Sequence, residues 1–195
     1  MEIYKSRLCW NCNNEINDNT LICEKCNKIQ SPDKINEFDL FGLKKNFKVD
    51  INKLEDKYLK LQQLFHPDKF SNLSEKERKN STLLSSLINE AYKNLKNPIE
   101  RVNLLLKLNG YKLSAENESF NDNDVLEEIM EIQNRCINAD DSESKGQILD
   151  DLNLKINTVL KEISDLFQEK KYNNVSRLNI KLSYLEKIKK NLKSK

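Results

Sequence analysis

Four cysteines near the start of the chain are the residues best suited to chemistry. They form two C-x2-C pairs, Cys9 with Cys12 and Cys23 with Cys26, separated by ten residues. Four thiolates on two tight turns suit a tetrahedral zinc ion, and because sulfur fills every coordination position the pattern predicts a structural site. Two disulfides or a redox pair are the alternatives, although a redox pair would need a βαβ context that this stretch does not show.

The module around these cysteines is too small to fold by apolar burial alone. About thirty residues bury too little surface, and zinc binding would contribute roughly 10–16 kcal/mol of folding free energy at neutral pH. Residues 1–30 contain four basic and four acidic side chains, and a four-thiolate zinc centre adds two negative charges. Because nucleic-acid binding needs the opposite sign, the module is predicted not to bind nucleic acid, which disfavours the alternative of a zinc-ribbon nucleic-acid factor.

The second chemically notable stretch is His66-Pro67-Asp68, which contains the one histidine of the chain. A histidine can act as a general base, but no cysteine lies near it in sequence, Ser71 is the one close hydroxyl, and an exposed turn cannot exclude water. The sequence also has no phosphate-binding glycine loop. We therefore predict that the chain is not an enzyme.

Two amphipathic helices are predicted to hold this turn. Apolar residues recur at helical spacing over residues 51–65 before it and over residues 84–95 after it. Pro67 disfavours helical geometry at the residue before it, so the first helix should end there. Ser74 and Glu77 have the spacing of a capping box that starts the second helix. The turn is therefore expected to be the rigid tip of a helical hairpin.

Three lysines, Lys53, Lys57 and Lys60, fall along one side of the first helix. Such a row is either a solvated surface, with Glu55 and Asp56 nearby, or a docking site for an acidic partner. The spacing by itself does not separate these two interpretations.

Composition favours an all-α chain of one or two domains with a short extra module. The 195 residues include 3 Gly and 3 Pro, and 37% of them are hydrophobic. No apolar run approaches the roughly 20 residues of a membrane span, so no membrane partner is expected. The net charge of +2 gives no global field for nucleic acid. Eight residues precede Cys9, too few for a targeting peptide, so targeting is expected to be absent, internal or trimmed.

Three more helical patterns follow residue 124 and predict an antiparallel three-helix bundle. Asp124 and Glu127 can cap the first helix, which carries a second apolar stripe beside its core stripe. Cys136 lies on the core stripe and is predicted to be a buried thiol. The predicted core stripes are Val125, Ile129, Ile132 and Cys136, then Leu149, Leu152, Ile156, Val159, Ile163 and Leu166, then Val175, Leu178, Leu182, Leu185 and Leu192.

Charge is distributed unevenly over this bundle. Residues 115–151 hold twelve acidic and two basic side chains, whereas residues 170–195 hold nine basic and one acidic side chain. We interpret the asymmetry as attraction between the first and last helices of the bundle, in preference to a membrane or nucleic-acid role.

The motifs around the turn identify a resemblance. His-Pro-Asp on a helical hairpin is the signature of the J domain, and the Leu-Phe-Gly-Leu segment 40–43, the block 88–95 and the block 181–188 resemble the HscB family of iron–sulfur cluster co-chaperones. The resemblance extends over residues 37–195. The four-cysteine module resembles the animal, mitochondrial form of that family.

This resemblance implies an all-α fold with a J-domain helical hairpin and a C-terminal three-helix bundle behind the small zinc module. The expected domains are residues 1–31 for the four-cysteine module, 36–110 for the J domain and 111–195 for the bundle. The helix expected at 98–108 would pack the J domain against the bundle, and a loop is expected at 109–123. The proline-containing linker at 31–34 is expected to uncouple the zinc module from the hairpin.

The resemblance also implies a function. The J domain would stimulate the ATPase of a DnaK-type (heat-shock 70 kDa) chaperone, and the bundle would deliver an IscU-type iron–sulfur scaffold whose cluster stays on that scaffold. Zinc would be the cofactor of this chain. Glu127 departs from the family, where an apolar residue is usual. The implied chaperone-binding residues are His66, Pro67, Asp68, Lys53, Lys57 and Lys60, and the implied scaffold-binding residues are Leu126, Met130 and Tyr184.

The family further implies a mitochondrion or mitochondrion-derived organelle, with the cytoplasm as the alternative. A general J-domain chaperone for unfolded clients is the competing function, and the family-like continuation after Pro98 disfavours it.

Overall fold

The protein folds mainly as α-helices, as its composition predicts. The computed structural model describes residues 6–33, 35–111 and 123–194. Its contacts divide the chain into two compact units, Met1–Asn97 and Pro98–Lys195. The first unit therefore contains both the cysteine module and the helical hairpin, and the helix after Pro98 belongs with the second. The functional division into three domains stays a prediction.

The first unit begins with a short antiparallel hairpin of β1 (Ser6–Leu8) and β2 (Glu15–Asn17), in which Arg7 lies opposite Ile16. A single antiparallel bridge then joins Ile22 to Ile29. Each pairing closes one cysteine turn, because Cys9 and Cys12 lie between β1 and β2, and Cys23 and Cys26 lie between Ile22 and Ile29.

Helices form the rest of this unit: α1 (Glu37–Leu40), α2 (Ile51–Phe65), a 3-10 helix (Pro67–Phe70) and α3 (Glu75–Lys96). The predicted end of the first long helix before the proline is confirmed. The capping box is confirmed as well, since Ser74 and Glu77 each accept a hydrogen bond from the backbone of the other. The sequence did not reveal the 3-10 helix that directly follows α2.

The helical hairpin of α2 and α3 is held by an apolar core between these two helices, with α1 packed against α3. The rings of Tyr58 and Tyr92 stack at the edge of this core with centroids 4.1 Å apart. The Tyr58 hydroxyl and the Gln62 amide both lie within hydrogen-bonding distance of the Asn89 side-chain oxygen, at 3.0 and 2.8 Å. The buried apolar residues are Phe38, Leu40, Phe41, Phe47, Leu54, Phe65, Leu84, Ile88, Ala91 and Leu95.

The second unit consists of α4 (Pro98–Leu108), α5 (Asn123–Ile137), α6 (Ser142–Gln168) and α7 (Tyr172–Lys193). Both α6 and α4 pack against α7, so α4 adds a fourth helix to the predicted three. The buried Asn179 side chain of α7 donates to the Ile99 carbonyl at 3.2 Å and to the Asn103 side-chain oxygen at 2.8 Å. Residues 112–122 of the predicted loop lie outside the described residues.

The core stripes of the bundle are largely those that the sequence predicts. Ile148, and not Leu149, is buried at the start of α6, and Ile188 joins the core of α7. The prediction that Cys136 is buried is wrong, because it lies in the last turn of α5 and is half exposed. There it lines an apolar cleft of about 220 Å³ together with Ile137 and Leu192.

The charge asymmetry of the bundle is visible at Glu128 on α5. Its carboxylate pairs with Lys181 on α7 at 2.5 Å and with Lys155 on α6 at 2.8 Å. Burial raises the pKa of Glu128, but hydrogen bonds from Lys155 and Lys181 outweigh it and lower the pKa below its ordinary value. The predicted attraction between the first and last bundle helices is therefore present here. In the part of the chain that the structure describes, no helix is both long and apolar enough to cross a membrane.

Candidate functional site

The four cysteines of the N-terminal module converge on one point. Their sulfur atoms all lie within 4.8 Å of one another, with Cys9 3.6 Å from Cys26 and Cys12 3.7 Å from Cys23, and each is a free thiol. Four sulfurs placed about 2.3 Å from a central zinc ion would lie about 3.8 Å apart in a regular tetrahedron. The donor set and its spacing therefore fit a four-coordinate metal ion, with none of the four cysteines in a disulfide.

Each pair of cysteines lies on the same backbone turn. The Cys9 carbonyl accepts from the Asn13 N–H at 3.0 Å, and the Cys23 carbonyl accepts from the Asn27 N–H at 2.8 Å. Both asparagines have positive φ, 53° for Asn13 and 55° for Asn27, a conformation that asparagine tolerates better than most residues. The repeated Cys-x-x-Cys-Asn pattern is thus a signal in the sequence from which these turns could have been predicted.

The protonation of the cluster favours a bound cation. Burial raises the pKa of the Cys9 thiol, but the backbone N–H groups of Cys12 and Asn11 outweigh it and bring the pKa to about 6. The Asn14 N–H lowers the pKa of Cys12, yet burial and the three neighbouring sulfurs raise it to about 12. The Cys12 thiol ionises readily near neutral pH only if a cation balances the charge of the cluster, and a divalent ion supplies that balance.

A second layer of side chains supports the cysteine turns. The buried Gln30 amide donates to the Cys9 sulfur at 3.4 Å and to the Lys28 carbonyl at 2.7 Å. The Trp10 indole N–H donates to the Ile29 carbonyl at 2.8 Å. These supporting residues were not predicted, because Gln30 and Trp10 reach partners about twenty residues away along the chain.

The cysteine module is attached to α3, and the expected uncoupling by the linker is wrong. The Lys28 ammonium contacts both carboxylate oxygens of Glu77, at 3.0 and 3.1 Å, and the Asn80 amide donates to the Ile29 carbonyl at 3.0 Å. Pro32 itself is buried. Long-range polar pairs of this kind leave no periodic signal in a sequence, so linker composition alone gave the wrong expectation.

The His66-Pro67-Asp68 turn lies between α2 and the 3-10 helix, with its polar side chains in solvent. His66 caps the 3-10 helix, since its Nδ1 accepts from the Asp68 N–H at 3.4 Å. The Asp68 side chain is 91% exposed, and its carboxylate lies 3.6 Å from the same imidazole nitrogen. The turn is therefore ordered by local bonds while its carboxylate stays available to a partner.

The three lysines of α2 differ in their surroundings. Lys57 donates to the Phe41 and Gly42 carbonyls at 2.7 and 2.9 Å, which ties α2 to the Leu-Phe-Gly-Leu segment. Gly42 is in the left-handed region, with φ of 53°, so a side chain there would be strained. Lys53 and Lys60 are exposed, and Lys53 lies 3.5 Å from Asp50. Lys57 thus has a structural role within its own unit that the sequence did not indicate.

The three residues predicted to bind a scaffold all lie outside the bundle core. Met130 on α5 is 61% exposed, Leu126 on the same helix is half-buried, and Tyr184 on α7 is half-buried. Helices α5 and α7 contact each other, which is the arrangement that the prediction requires. Ile137 is also exposed on α5. Gln133 follows Met130 by three residues and Ile137 follows Gln133 by four, so all three lie on the same side of the helix. The binding role of these residues stays a prediction.

Comparison with known proteins gives consistent matches. A family model described as the HSCB C-terminal oligomerisation domain matches residues 121–193. The chain is 32% identical over 189 residues to the iron–sulfur cluster co-chaperone protein HscB of Mus musculus, covering 95% of this chain and 81% of that protein. It is 32% identical over 180 residues to the HscB homolog of Arabidopsis thaliana, covering 92% of this chain and 70% of that protein.

A solved structure matches over nearly the same span. The crystal structure of the human co-chaperone protein HscB superposes with a TM-score of 0.89 at 30% sequence identity. The match covers 96% of this chain and 98% of the human chain, so it includes the cysteine module as well as the helices.

Proposed function

We propose a co-chaperone function for this chain, which belongs to the HscB family of iron–sulfur cluster co-chaperones. In this function the chain activates a DnaK-type chaperone and delivers an IscU-type scaffold to that chaperone. The observation that carries the proposal is the His66-Pro67-Asp68 turn, which a well-packed helical hairpin holds out into solvent. The chain hydrolyses nothing itself. It makes the ATPase of its partner work faster.

Asp68 is the central residue of the chaperone contact. Its carboxylate is almost fully exposed, and the 3-10 helix that His66 caps fixes its backbone. Such a carboxylate can form a charge-assisted hydrogen bond with an arginine of the chaperone, which is about twice as strong as a bond between neutral groups. Pro67 and His66 serve this contact by holding the backbone in one conformation before the partner arrives.

The lysine row of α2 gives the second part of the same contact. Lys53 and Lys60 point their charges into solvent, so they can attract an acidic surface of the chaperone and raise the association rate. Lys57 has two carbonyl partners within its own unit. We keep Lys57 in the chaperone-binding row because of its position on α2. Since its charge is already engaged, we expect the larger steering effect from Lys53 and Lys60.

The bundle supplies the contact with the scaffold. Leu126, Met130 and Tyr184 are apolar or aromatic side chains that α5 and α7 keep outside the core. Apolar side chains that are exposed in the free protein can become the buried anchors of an interface. Glu127 lies between two of them in sequence, at a position where the family pattern usually has an apolar residue, so we expect the apolar face to be reduced there.

The metal is proposed to be zinc, held by Cys9, Cys12, Cys23 and Cys26. Four thiolates at this spacing leave no open position, so the bound ion would cross-link the module and would not act on a substrate. The iron–sulfur cluster would stay on the scaffold. A mitochondrial or mitochondrion-derived compartment is proposed from the eukaryotic relatives, with the cytoplasm as the alternative.

A pull-down of native partners from the source cell tests this function. We expect recovery of an iron–sulfur scaffold through the bundle and, in the presence of ATP, of a DnaK-type chaperone through the turn. Two variants serve as internal controls, because Asp68→Asn should lose the chaperone and keep the scaffold, while Met130→Ala with Tyr184→Ala should do the reverse. Recovery of heterogeneous unfolded proteins in place of a scaffold would favour a general J-domain chaperone.

A further inference from the structure

Lys28 connects the cysteine cluster to α3. The Lys28 carbonyl accepts from the Cys23 N–H at 3.0 Å, so the backbone at Lys28 belongs to the second cysteine turn. Its ammonium contacts both oxygens of the Glu77 carboxylate. The Glu77 side chain is only 4% exposed, so it is shielded from water, and an ion pair in such a place is screened far less than one on the surface.

Glu77 also organises the start of α3. Its carboxylate accepts from the Ser74 hydroxyl at 2.7 Å and from the Ser74 N–H at 3.3 Å, which is one half of the capping box. Burial raises the pKa of Glu77, but its bonds to Ser74 and Lys28 outweigh it and lower the pKa. One carboxylate therefore joins the metal-binding turn to the first residues of α3.

A second bond makes this attachment directional. The buried Asn80 amide donates to the Ile29 carbonyl at 3.0 Å, three residues along α3 from Glu77 and on the same side of the helix. Ile29 is in turn held by the Trp10 indole. Two neighbouring attachment points fix both the distance and the orientation of the first turns of α3.

The start of α3 is in turn connected to the His66-Pro67-Asp68 turn. The 3-10 helix packs against α3, and the Leu73 N–H donates to the Phe70 carbonyl at 3.0 Å just before α3 begins. A continuous set of bonds and contacts therefore runs from the cysteine sulfurs through Lys28, Glu77 and Ser74 to the residues that follow Asp68.

From this geometry we infer that Lys28 and Glu77 are positioning residues, through which metal binding at the cysteine cluster holds the His66-Pro67-Asp68 turn in its chaperone-activating conformation. The inference rests on the proposed function, because it assigns the turn its role in ATPase stimulation. It extends that function by giving the cysteine module a task within the same unit: when the metal is bound, Lys28 and Ile29 are ordered and α3 starts at a defined place. Without the metal, Lys28 is no longer held in place, so Glu77 loses its cationic partner. The His66-Pro67-Asp68 turn is then stabilised by one contact fewer.

The test uses the full-length zinc-loaded protein and the variant Lys28→Met, which keeps the length of the side chain and removes its charge. Lys28→Arg should restore the ion pair. Lys25→Met is the matched control, because Lys25 lies on the same cysteine turn but is exposed to solvent. Zinc content and thermal unfolding are measured first for each protein, so that loss of the metal or of the fold is recognised.

Two readouts are then compared. The first is the backbone amide chemical shifts of residues 66–74, which require no partner. The second is stimulation of the DnaK-type ATPase, separated into the half-maximal co-chaperone concentration and the maximal rate. In Lys28→Met we expect shifted amides at the turn, unchanged zinc content and a half-maximal concentration raised by about two- to thirtyfold, the range for residues that modulate a coupled site. Lys25→Met and Lys28→Arg should match the wild type.

Chelation of the wild type provides the decisive comparison. If Lys28 transmits the metal effect, chelation should move the same turn amides in the same direction, and chelation of Lys28→Met should move them little further. A zinc-loaded Lys28→Met protein with wild-type amide shifts and wild-type half-maximal concentration would overturn the inference. If Lys28→Met loses zinc or fails to fold, Glu77→Gln decides the matter by the same readouts, since glutamine can keep the capping box without the charge. Failure of the wild type to stimulate the ATPase would instead contradict the proposed function, while the amide shifts would still report the coupling.

Discussion

Replacing Leu126, Met130 and Tyr184 together by alanine should weaken scaffold binding and leave the fold intact. Met130 is 61% exposed and the other two are half-buried, so their truncation removes little of the core. Core residues of the same helices would behave differently, because truncation of a fully buried leucine such as Leu182 typically costs about 2–5 kcal/mol of folding free energy. Near-wild-type thermal unfolding is therefore part of the prediction.

The size of the binding effect follows from the role of these side chains as anchors. Truncation of a central apolar anchor typically costs more than about 1 kcal/mol, and such costs are not additive within one patch. We take about 1.4 kcal/mol as the lower limit for the triple change, which corresponds to at least about tenfold weaker binding. If three costs of about 1 kcal/mol added in full, the weakening would reach about 150-fold.

Titration calorimetry with the scaffold measures this change, beside an ATPase assay without the scaffold. Leu154→Ala is the matched control, since Leu154 is an apolar residue of α6 that is 68% exposed and lies on neither α5 nor α7. Scaffold affinity should fall in the triple variant and stay constant in the control, and basal ATPase stimulation should survive in both. Unchanged scaffold affinity in a folded triple variant would refute the assignment of this face.

Three further outcomes are expected. Chelation of the metal should unfold the cysteine module. Because Glu77 then loses its bond to Lys28, the stability of the helical hairpin should fall by about 1–3 kcal/mol. Circular dichroism melts should show this as a lower midpoint with little loss of helix. Cooperative loss of all helix would contradict this. Glu128 has a lowered pKa in the folded state, so its stabilising contribution of about 1 kcal/mol is present above the ordinary carboxyl pKa and is lost as the pH falls through the folded pKa. Glu128→Gln should therefore be less stable than the wild type at neutral pH. Its free energy of unfolding should also change less with acid, as measured by denaturant titrations between about pH 6 and 3. Lys57→Met should destabilise the helical hairpin by about 1–2 kcal/mol in urea unfolding, because two carbonyls lose their donor. Lys60 is exposed, so Lys60→Met should change the stability by less than about 0.5 kcal/mol. Equal effects of the two substitutions would show that the carbonyl bonds contribute nothing.

Local sequence patterns predicted most of the helical framework. The periodic apolar residues over 51–65, the proline after them and the capping box at Ser74 each act within one or two turns of the chain, so their spacing alone determines the local structure. The paired cysteines are equally local within each turn. Their convergence could be expected because one tetrahedral ion needs all four.

Contacts between distant residues could not be predicted in the same way. The pair Lys28 and Glu77 is separated by 49 positions, and each residue alone reads as an ordinary surface charge. Lys57 illustrates the same limit, since its place in a basic row concealed two bonds to backbone carbonyls. Cys136 lies on the correct stripe of α5, but the stripe reaches the end of the helix, where neighbouring helices cover it less completely.

Asp68→Asn tests most directly the proposal that this chain activates a DnaK-type ATPase through its exposed turn. The amide keeps the shape of the side chain and removes its charge, and loss of one partner of a desolvated charged pair costs roughly 2–5 kcal/mol. Asp56→Asn is the matched control, an exposed carboxylate of α2 away from the turn. In single-turnover ATP hydrolysis by the chaperone, Asp68→Asn should fold normally and require at least about thirtyfold more protein for half-maximal stimulation, or show none. Normal stimulation by a folded Asp68→Asn protein would contradict activation through the His66-Pro67-Asp68 turn.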